Sequence, residues 1–241
     1  MPTADVANKI TGEKLPLTLG HEVSGRIITE PTSPRLKKGM GVIVDPRFLC
    51  NQCRPCHIGK EQGCTGFSYV GVHGSGGLAH YIAVNESQLL VVPENVPLDC
   101  AALVEPLTVA LHAVKVSGMK DFADKDVLIT GGGPVGYAII FSLRAYGAKR
   151  IFVSEPTKTR REQTSKLVEA VIDPRTEHVG DRCRKLTNGK GVDIAFDCAG
   201  IQPGLEAAAE ALDHSGIIVN VAIWEKPVGF QLPAVGGQGC N

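Results

Sequence analysis

A glycine-rich turn between a predicted buried strand and a predicted helix limits the folds that this sequence can adopt. The strand covers residues 126–130 and the helix covers residues 135–146, and the turn between them matches Gly131-x-Gly133-x-x-Gly136. This pattern in this position is typical of a βαβ unit that places the pyrophosphate of a dinucleotide at the helix N-terminus. The alternative is an ordinary glycine-rich turn of an α/β protein.

Each glycine of the turn has a physical role in such a unit. Gly131 permits the tight turn, Gly133 lets the backbone approach the pyrophosphate, and Gly136 allows close packing of helix and strand. Pro134 and Val135 lie between the last two glycines. We therefore predict that these five residues bind the cofactor.

After about residue 107 the sequence alternates apolar β-type runs with helical patterns. This alternation predicts an α/β fold with a doubly wound parallel sheet and helices on both faces. The predicted strands cover residues 126–130, 151–154, 170–172, 192–197 and 217–221, and the predicted helices cover residues 107–116, 135–146, 158–167, 177–186 and 205–212.

An acidic residue at the end of the second of these strands indicates which dinucleotide binds. Glu155 can accept hydrogen bonds from the adenosine ribose, and it would repel the 2′-phosphate of NADP. Arg160 and Arg161 follow closely and could instead receive that phosphate. The sequence favours NAD over NADP and assigns Glu155 and Arg160 to the cofactor site.

The first hundred residues have a different character. They are rich in Gly and Pro and carry short β-type runs at 23–30, 41–44, 78–84 and 89–92. Short strands at this spacing predict a small, irregular β domain. With the boundary near Pro106, we expect one domain over residues 1–106 and a second over residues 107–241.

Four of the eight cysteines form a cluster with the spacing Cys50-x2-Cys53-x2-Cys56-x7-Cys64. Four thiolates this close in sequence can bind one Zn²⁺ tetrahedrally, and a zinc that is saturated by protein ligands is structural. A bacterial ferredoxin run begins in the same way but continues with x3 and Cys-Pro. The spacing predicts a structural zinc lobe over residues 50–64, with an iron–sulfur cluster or no metal as the alternative.

The charge balance bears on the class of partner. The chain has 25 Lys plus Arg against 25 Asp plus Glu, so it lacks the basic surplus that nucleic acid or an anionic membrane requires. It has no apolar run of about 20 residues, and its first 20 residues have no signal-peptide core. We expect a cytoplasmic protein that acts on a small molecule, without nucleic acid or membrane partners.

Two further elements bear on a second metal. Gly20-His21-Glu22 precedes a β-type run, and Glu105 lies in Val104-Glu105-Pro106-Leu107. On the residues alone, a single His is usually a surface or structural residue. Glu105 could equally cap a helix that begins at Pro106.

Taken together and in this order, these motifs resemble the zinc-dependent medium-chain alcohol dehydrogenases. The resemblance is closest to their polyol branch, including the 2,3-butanediol dehydrogenases, and extends from about Gly12 to Pro227. Three further segments support that branch, namely residues 12–22, Phe196-Asp197-Cys198-Ala199-Gly200, and residues 220–227.

The resemblance implies a GroES-like β-barrel catalytic domain followed by a Rossmann-type domain. It makes His21 and Glu105 ligands of a catalytic zinc, and Glu22 a further ligand or a residue next to one. The implied reaction converts a secondary alcohol or vicinal diol to its ketone, with hydride passing to the nicotinamide. It also implies a homo-oligomer.

The sequence departs from the family pattern in two places. The family's Cys-Gly-x-Asp-x-His motif, which supplies the first zinc ligand, is absent, and residues 233–241 resemble nothing in the family. We therefore expect a chain truncated at both ends, with a partial barrel and a sheet that lacks its last strand. The alternative function is a catalytically inactive fragment that binds NAD and zinc.

Overall fold

The computed structural model of the chain describes residues 3–227 and residue 229. The chain forms two compact units, and the boundary between them falls between Glu105 and Pro106. Within the described ranges, no helix combines the length and the apolar character that crossing a lipid bilayer requires.

The first unit is built from short strands and single helical turns. The strands are β1 (Ser24–Arg26), β2 (Gly41–Val44), β3 (Arg47–Phe48), β4 (Ser68–Tyr69) and β5 (Leu89–Val91), and the helices are α1 (Arg54–His57) and α2 (Leu98–Ala101), with 3₁₀ turns at Glu61–Gly63 and Glu86–Gln88. An antiparallel sheet has the order β1-β2-β5, and β3 pairs with β4. A small apolar core that includes Val42, Val44 and Leu89 lies against the larger sheet.

The prediction of a strand over residues 78–84 is wrong for the described chain. Ile82 and Val84 do pack against the core, Tyr81 before them is 75% exposed and Ala83 between them is exposed too, so the alternation exists. The backbone of residues 79–84, however, forms no hydrogen bond with any residue that the structure describes. Alternation shows which side chains turn inward, but it carries no information about whether a partner strand lies alongside.

Helix α3 (Val104–Val116) leads the chain into the second unit, where strands and helices alternate. The strands are β6 (Asp126–Thr130), β7 (Arg150–Ser154), β8 (Ala170–Ile172), β9 (Val192–Asp197) and β10 (Leu212–Asn220), and the helices are α4 (Pro134–Ala145), α5 (Lys158–Thr164), α6 (Val179–Leu186) and α7 (Gln202–Ala211). All four pairings in the sheet are parallel, and the order is β10-β9-β6-β7-β8.

This order is that of a Rossmann-type sheet with five strands, which confirms the predicted fold class. In sequence order of the strands it reads 5-4-1-2-3, with β10 at one edge of the described sheet.

The core of the second unit lies on both faces of this sheet. Val127 and Ile129 of β6 pack on one face with residues of α3 and α4, whereas Leu128 packs on the other with residues of α6 and α7. Because the faces are both covered, β6 is buried along its whole length. The carboxyl ends of the strands, where ligands bind in such sheets, therefore stand on a rigid base.

Candidate functional site

Four cysteine sulfurs converge in the first unit. The Sγ atoms of Cys50, Cys53, Cys56 and Cys64 all lie within 4.8 Å of one another. The Sγ–Sγ distances are 3.4 Å for Cys53–Cys56, 3.5 Å for Cys50–Cys64 and 4.0 Å for Cys50–Cys56. These values bracket the edge of about 3.8 Å that four sulfurs form around one ion at ~2.3 Å.

The local backbone explains this convergence. Cys53 caps the start of α1, which places Cys56 one turn further on. Asn51 and Gly59 adopt positive φ angles of 55° and 70°, so the chain reverses on either side of that helix. The backbone N–H of Cys50 then donates to the sulfur of Cys64 at 3.4 Å.

The thiols in this cluster are not equivalent. The backbone N–H of Cys56 lowers the pKa of Cys53 to about 6, with Thr65 contributing in the same way. Burial raises the pKa of Cys56 to about 12, and the Cys53 thiol adds to that effect. Cys53 therefore loses its proton more readily than Cys56, whose thiol a bound cation would have to deprotonate.

The donor set fits one zinc ion with four protein ligands. A four-iron cluster gives each iron its own thiolate, which would hold the sulfurs further apart than around one ion. The observed spacing therefore favours zinc, and a zinc bound by all four sulfurs would leave no position for a substrate.

A second group of ligand atoms forms where the two ends of the first unit meet. One ligand atom each from His21, Glu22 and Glu105 lies within 4.8 Å of the others. The described part of α3 begins at Val104, so Glu105 lies in the first turn rather than before it, and the alternative of a capping role at Pro106 does not describe its position. Sequence reasoning on the residues alone left both His21 and Glu105 undecided.

A glycine-rich loop holds the backbone beside His21. Gly77 donates to the carbonyl of Gly20 at 2.9 Å, and Gly76 donates to the carbonyl of Thr18 at 2.8 Å. A Cβ on Gly71 or Gly76 would collide with the carbonyl oxygen of Gly20. Residues 71 and 76 therefore have to be glycine, because any side chain there would keep the backbone of residue 20 from approaching the loop.

The electrostatic setting of this group centres on Glu105. Burial raises the pKa of Glu105, the negative charges of Glu22 and Asp45 add to the rise, and His21 opposes it. The ring of Tyr69 meets that of His21 edge-on, with centroids 5.9 Å apart. Burial raises the pKa of Tyr69, and Glu105 adds to the rise.

Tyr69 is a residue that sequence reasoning missed, since nothing in the pattern separates it from neighbouring aromatic residues.

The ligand atoms of His21, Glu22 and Glu105 are one imidazole nitrogen and two carboxylate oxygens. This set suits Zn²⁺ and leaves a fourth position on the metal open. Such a position is what a metal needs if it is to bind a substrate oxygen.

The dinucleotide-type turn lies at the carboxyl end of β6. Gly131 has a φ of 97°, and a Cβ on Gly136 would collide with the carbonyl oxygen of Gly131. Gly133 precedes α4 without any side-chain cap on the helix, and Pro134 and Val135 form its first positions. The N–H groups of this first turn are therefore free of side-chain acceptors and suited to an anion.

Glu155 and the two arginines after it have different roles in the structure. Glu155 is only 2% exposed, and its carboxylate accepts from the N–H of Gly132 at 2.8 Å and of Thr157 at 2.7 Å. Arg161 pairs with Asp173 at 2.8 Å. Arg160 instead extends over the turn, with its Nη1 3.6 Å from the position of a Cβ on Gly133.

Comparison with known protein families gives two matches that cover different units. Residues 3–94 match the alcohol dehydrogenase GroES-like domain, and residues 134–238 match the zinc-binding dehydrogenase domain. The second match includes residues 233–238, so the expectation that residues 233–241 resemble nothing in the family is wrong for those six residues.

Individual relatives agree with these matches. The chain is 37% identical to (R,R)-butanediol dehydrogenase of Saccharomyces cerevisiae, over 96% of this chain and 65% of that protein. It is 32% identical to (R,R)-butanediol dehydrogenase of Neisseria gonorrhoeae, over 98% of this chain and 67% of that protein. The chain thus spans about two thirds of the length of these relatives.

A solved structure shows the same fold. The crystal structure of 2R,3R-butanediol dehydrogenase from Bacillus subtilis superimposes with a TM-score of 0.84 at 30% identity, covering 95% of this chain and 65% of that one.

Proposed function

Because the chain belongs to the zinc-dependent alcohol dehydrogenase family, we propose that it interconverts a secondary alcohol or vicinal diol, such as 2,3-butanediol, and the corresponding ketone. The reaction would be a zinc- and NAD-dependent hydride transfer. The observation that carries this proposal is the convergence of ligand atoms from His21, Glu22 and Glu105, which are far apart in the sequence.

His21, Glu105 and Glu22 would hold the catalytic zinc, which supplies a Lewis acid that makes an alcohol hydroxyl more acidic. The two carboxylates offset the charge of the cation, and Glu105 is already half-buried at the site. The four cysteines would hold a separate, structural zinc that keeps residues 50–64 folded.

The second unit would bind the nicotinamide cofactor. The N–H groups that follow Gly133 would receive the pyrophosphate, with Gly131, Pro134, Val135 and Gly136 shaping the turn. Glu155 would accept from the adenosine ribose and disfavour a 2′-phosphate, which supports NAD over NADP. Arg160 works against this preference, because its side chain is 53% exposed and its Nη1 lies 4.0 Å from Oε2 of Glu155.

We further propose a homo-oligomeric, cytoplasmic protein that acts on a small molecule and has no nucleic acid or membrane partner. The seven cysteines that the structure describes are all free thiols, which is typical of a reducing compartment. The zero net charge supports the absence of a nucleic acid partner.

A second candidate is an inactive protein that binds NAD and structural zinc. The observation in its favour is the ligand set at His21, which among the described residues contains no thiolate. Thiolates bind zinc more strongly than carboxylates, so this cation site would be the weaker of the two.

Zinc content and turnover together test the two candidates. We expect purified protein to carry two zinc ions per chain and to reduce NAD when 2,3-butanediol is added, followed by absorbance of NADH. One zinc ion per chain, with NAD binding and no turnover for any secondary alcohol tried, would support the inactive protein instead.

A further inference from the structure

A buried aspartate joins the ends of two neighbouring strands beside the glycine turn. Asp197 is the last residue of β9 and is 0% exposed. Its Oδ1 accepts from the hydroxyl of Thr130 at 2.8 Å and from the N–H groups of Ala199 at 3.1 Å and Gly200 at 3.4 Å. Thr130 is the last residue of β6, directly before Gly131.

The backbone of the same residue reaches a third strand end. The carbonyl of Asp197 accepts from the N–H groups of Val221 at 2.9 Å and Ala222 at 3.0 Å, which follow β10. Asp197 therefore connects the carboxyl ends of β6, β9 and β10. The segment after β9, residues 198–200, is fixed between the other two strand ends.

This segment is the surface on which the glycine turn rests. A Cβ on Gly131 would lie 3.2 Å from the backbone nitrogen of Ala199 and 3.2 Å from the carbonyl carbon of Cys198. A movement of residues 198–200 would thus be transmitted directly to Gly131. Because the turn determines where the first N–H groups of α4 point, its position decides how well an anion is bound there.

The second oxygen of Asp197 lies on the other side of the carboxylate from these contacts. Oδ2 is buried and has no hydrogen-bond partner among the residues that the structure describes. Buried polar atoms without a partner are rare because they destabilise the folded state, so the three hydrogen bonds to Oδ1 are the contacts that hold this carboxylate in place.

We propose that Asp197 is a positioning residue of the dinucleotide site. Its carboxylate holds residues 198–200 beneath Gly131, so that the N-terminal N–H groups of α4 are directed at the pyrophosphate before the cofactor binds. The proposal rests on the proposed function in one respect, namely that the ligand of this turn is a nicotinamide dinucleotide.

A matched control exists at the opposite end of the same sheet. Asp126 begins β6 and is 5% exposed, so its carboxylate is also buried. Its neighbour is Arg150, whose Nη1 lies 3.0 Å from Oδ1. Asp126→Ala therefore removes a buried carboxylate from the sheet without touching the loops at its carboxyl edge.

The test uses the whole protein and the variants Asp197→Ala, Asp197→Asn and Asp126→Ala. NADH affinity is measured by fluorescence titration, and backbone amide exchange of peptides covering residues 130–136 and 198–201 is measured without cofactor. We expect Asp197→Ala to weaken NADH binding about tenfold and to speed exchange in both segments, since three hydrogen bonds are lost. Asp197→Asn should restore both, because its amide oxygen can accept from the same donors.

Asp126→Ala should lower the thermal midpoint without changing NADH affinity or loop exchange. Equal loop exchange and equal NADH affinity in the Asp197→Ala and Asp126→Ala proteins would overturn the proposal. If Asp197→Ala does not fold, Thr130→Val is used to test the proposal. This variant removes one hydrogen-bond donor to Asp197 and keeps the shape of the side chain. Unchanged loop exchange in Thr130→Val would overturn the proposal. Failure of the unmodified protein to bind NADH would reject the dinucleotide function, whereas loop exchange would still decide the role of Asp197 within the turn.

Discussion

The cysteine cluster takes all four ligands from residues 50–64, whereas the cluster of His21, Glu22 and Glu105 is assembled from the two ends of the first unit. The first is held by its own short helix and two tight turns. The second depends on the loop of residues 71–77 and on the start of α3. A local ligand set stabilises the segment that carries it, whereas a set from distant segments depends on the fold being formed already.

The largest effect is expected from removing a ligand of the cysteine cluster. Cys56→Ser should abolish one zinc ion per chain and lower the thermal midpoint of the protein by about 10 °C or more, because structural zinc contributes directly to folding. Metal content and calorimetry measure both quantities. Cys100→Ser, at an exposed thiol of the same unit, is the control and should change neither. A Cys56→Ser protein with unchanged metal content would contradict a structural zinc.

Loss of a ligand from the cluster of His21, Glu22 and Glu105 should reduce turnover and leave the protein folded. His21→Gln and Glu105→Gln should each reduce kcat/KM for 2,3-butanediol about 10³-fold, since several kcal/mol of charge stabilisation by the metal would be lost. The thermal midpoint should change by no more than a few degrees. His80→Gln is the control, since His80 is exposed. A large drop in the thermal midpoint with normal turnover would show that the His21 cluster supports folding rather than catalysis.

A smaller effect is expected from the loop that supports His21. Gly76→Ala would bring a methyl group against the carbonyl oxygens of Gly20 and Leu19, so the loop must shift. We expect about tenfold weaker metal binding at the His21 cluster, followed by titration with Co²⁺, and unchanged binding at the cysteines. The control is Gly25→Ala, because a Cβ at Gly25 meets no atom within 4 Å. Equal effects of the two variants would show that the loop does not position His21.

The smallest effect should come from Glu22. Its side chain is exposed, so water can replace it on the metal. Glu22→Gln should weaken Co²⁺ binding at this cluster about fivefold or less, since interactions between exposed charges are weak. Glu94→Gln, at another exposed acid of the unit, should have no effect. A loss as large as that of Glu105→Gln would make Glu22 an equal ligand.

The same contrast explains what the sequence could predict. The four cysteines and the Gly131–Gly136 turn each lie within a short stretch of sequence. Their residue types and intervals were therefore sufficient to predict that the sulfurs converge and that the turn joins a strand to a helix. Strands 170–172 and 192–197 were also predicted with their observed bounds, because both are apolar runs between clear breaks.

Long-range placement was the part that sequence patterns could not supply. Nothing near Glu105 indicates that it lies beside His21, and only the family resemblance suggested it. The commitment of Glu155 to the N–H groups of Gly132 and Thr157 was also hidden, since it depends on how β7 is placed beside the turn. Asp197 was visible only as part of a family segment, without a role.

The backbone of residues 79–84 forms no hydrogen bond with the described part of the chain, and this has a consequence for handling the protein. Proteases bind their substrates as extended strands, and a segment that no sheet hydrogen bonds hold can adopt that form more readily than a paired strand. Tyr81 is 75% exposed, so brief digestion with chymotrypsin should cut after Tyr81 before it cuts in the buried strands of the second unit. Mass spectrometry of the first fragments would locate that cut, and a mutation or partner that covers the segment would delay it.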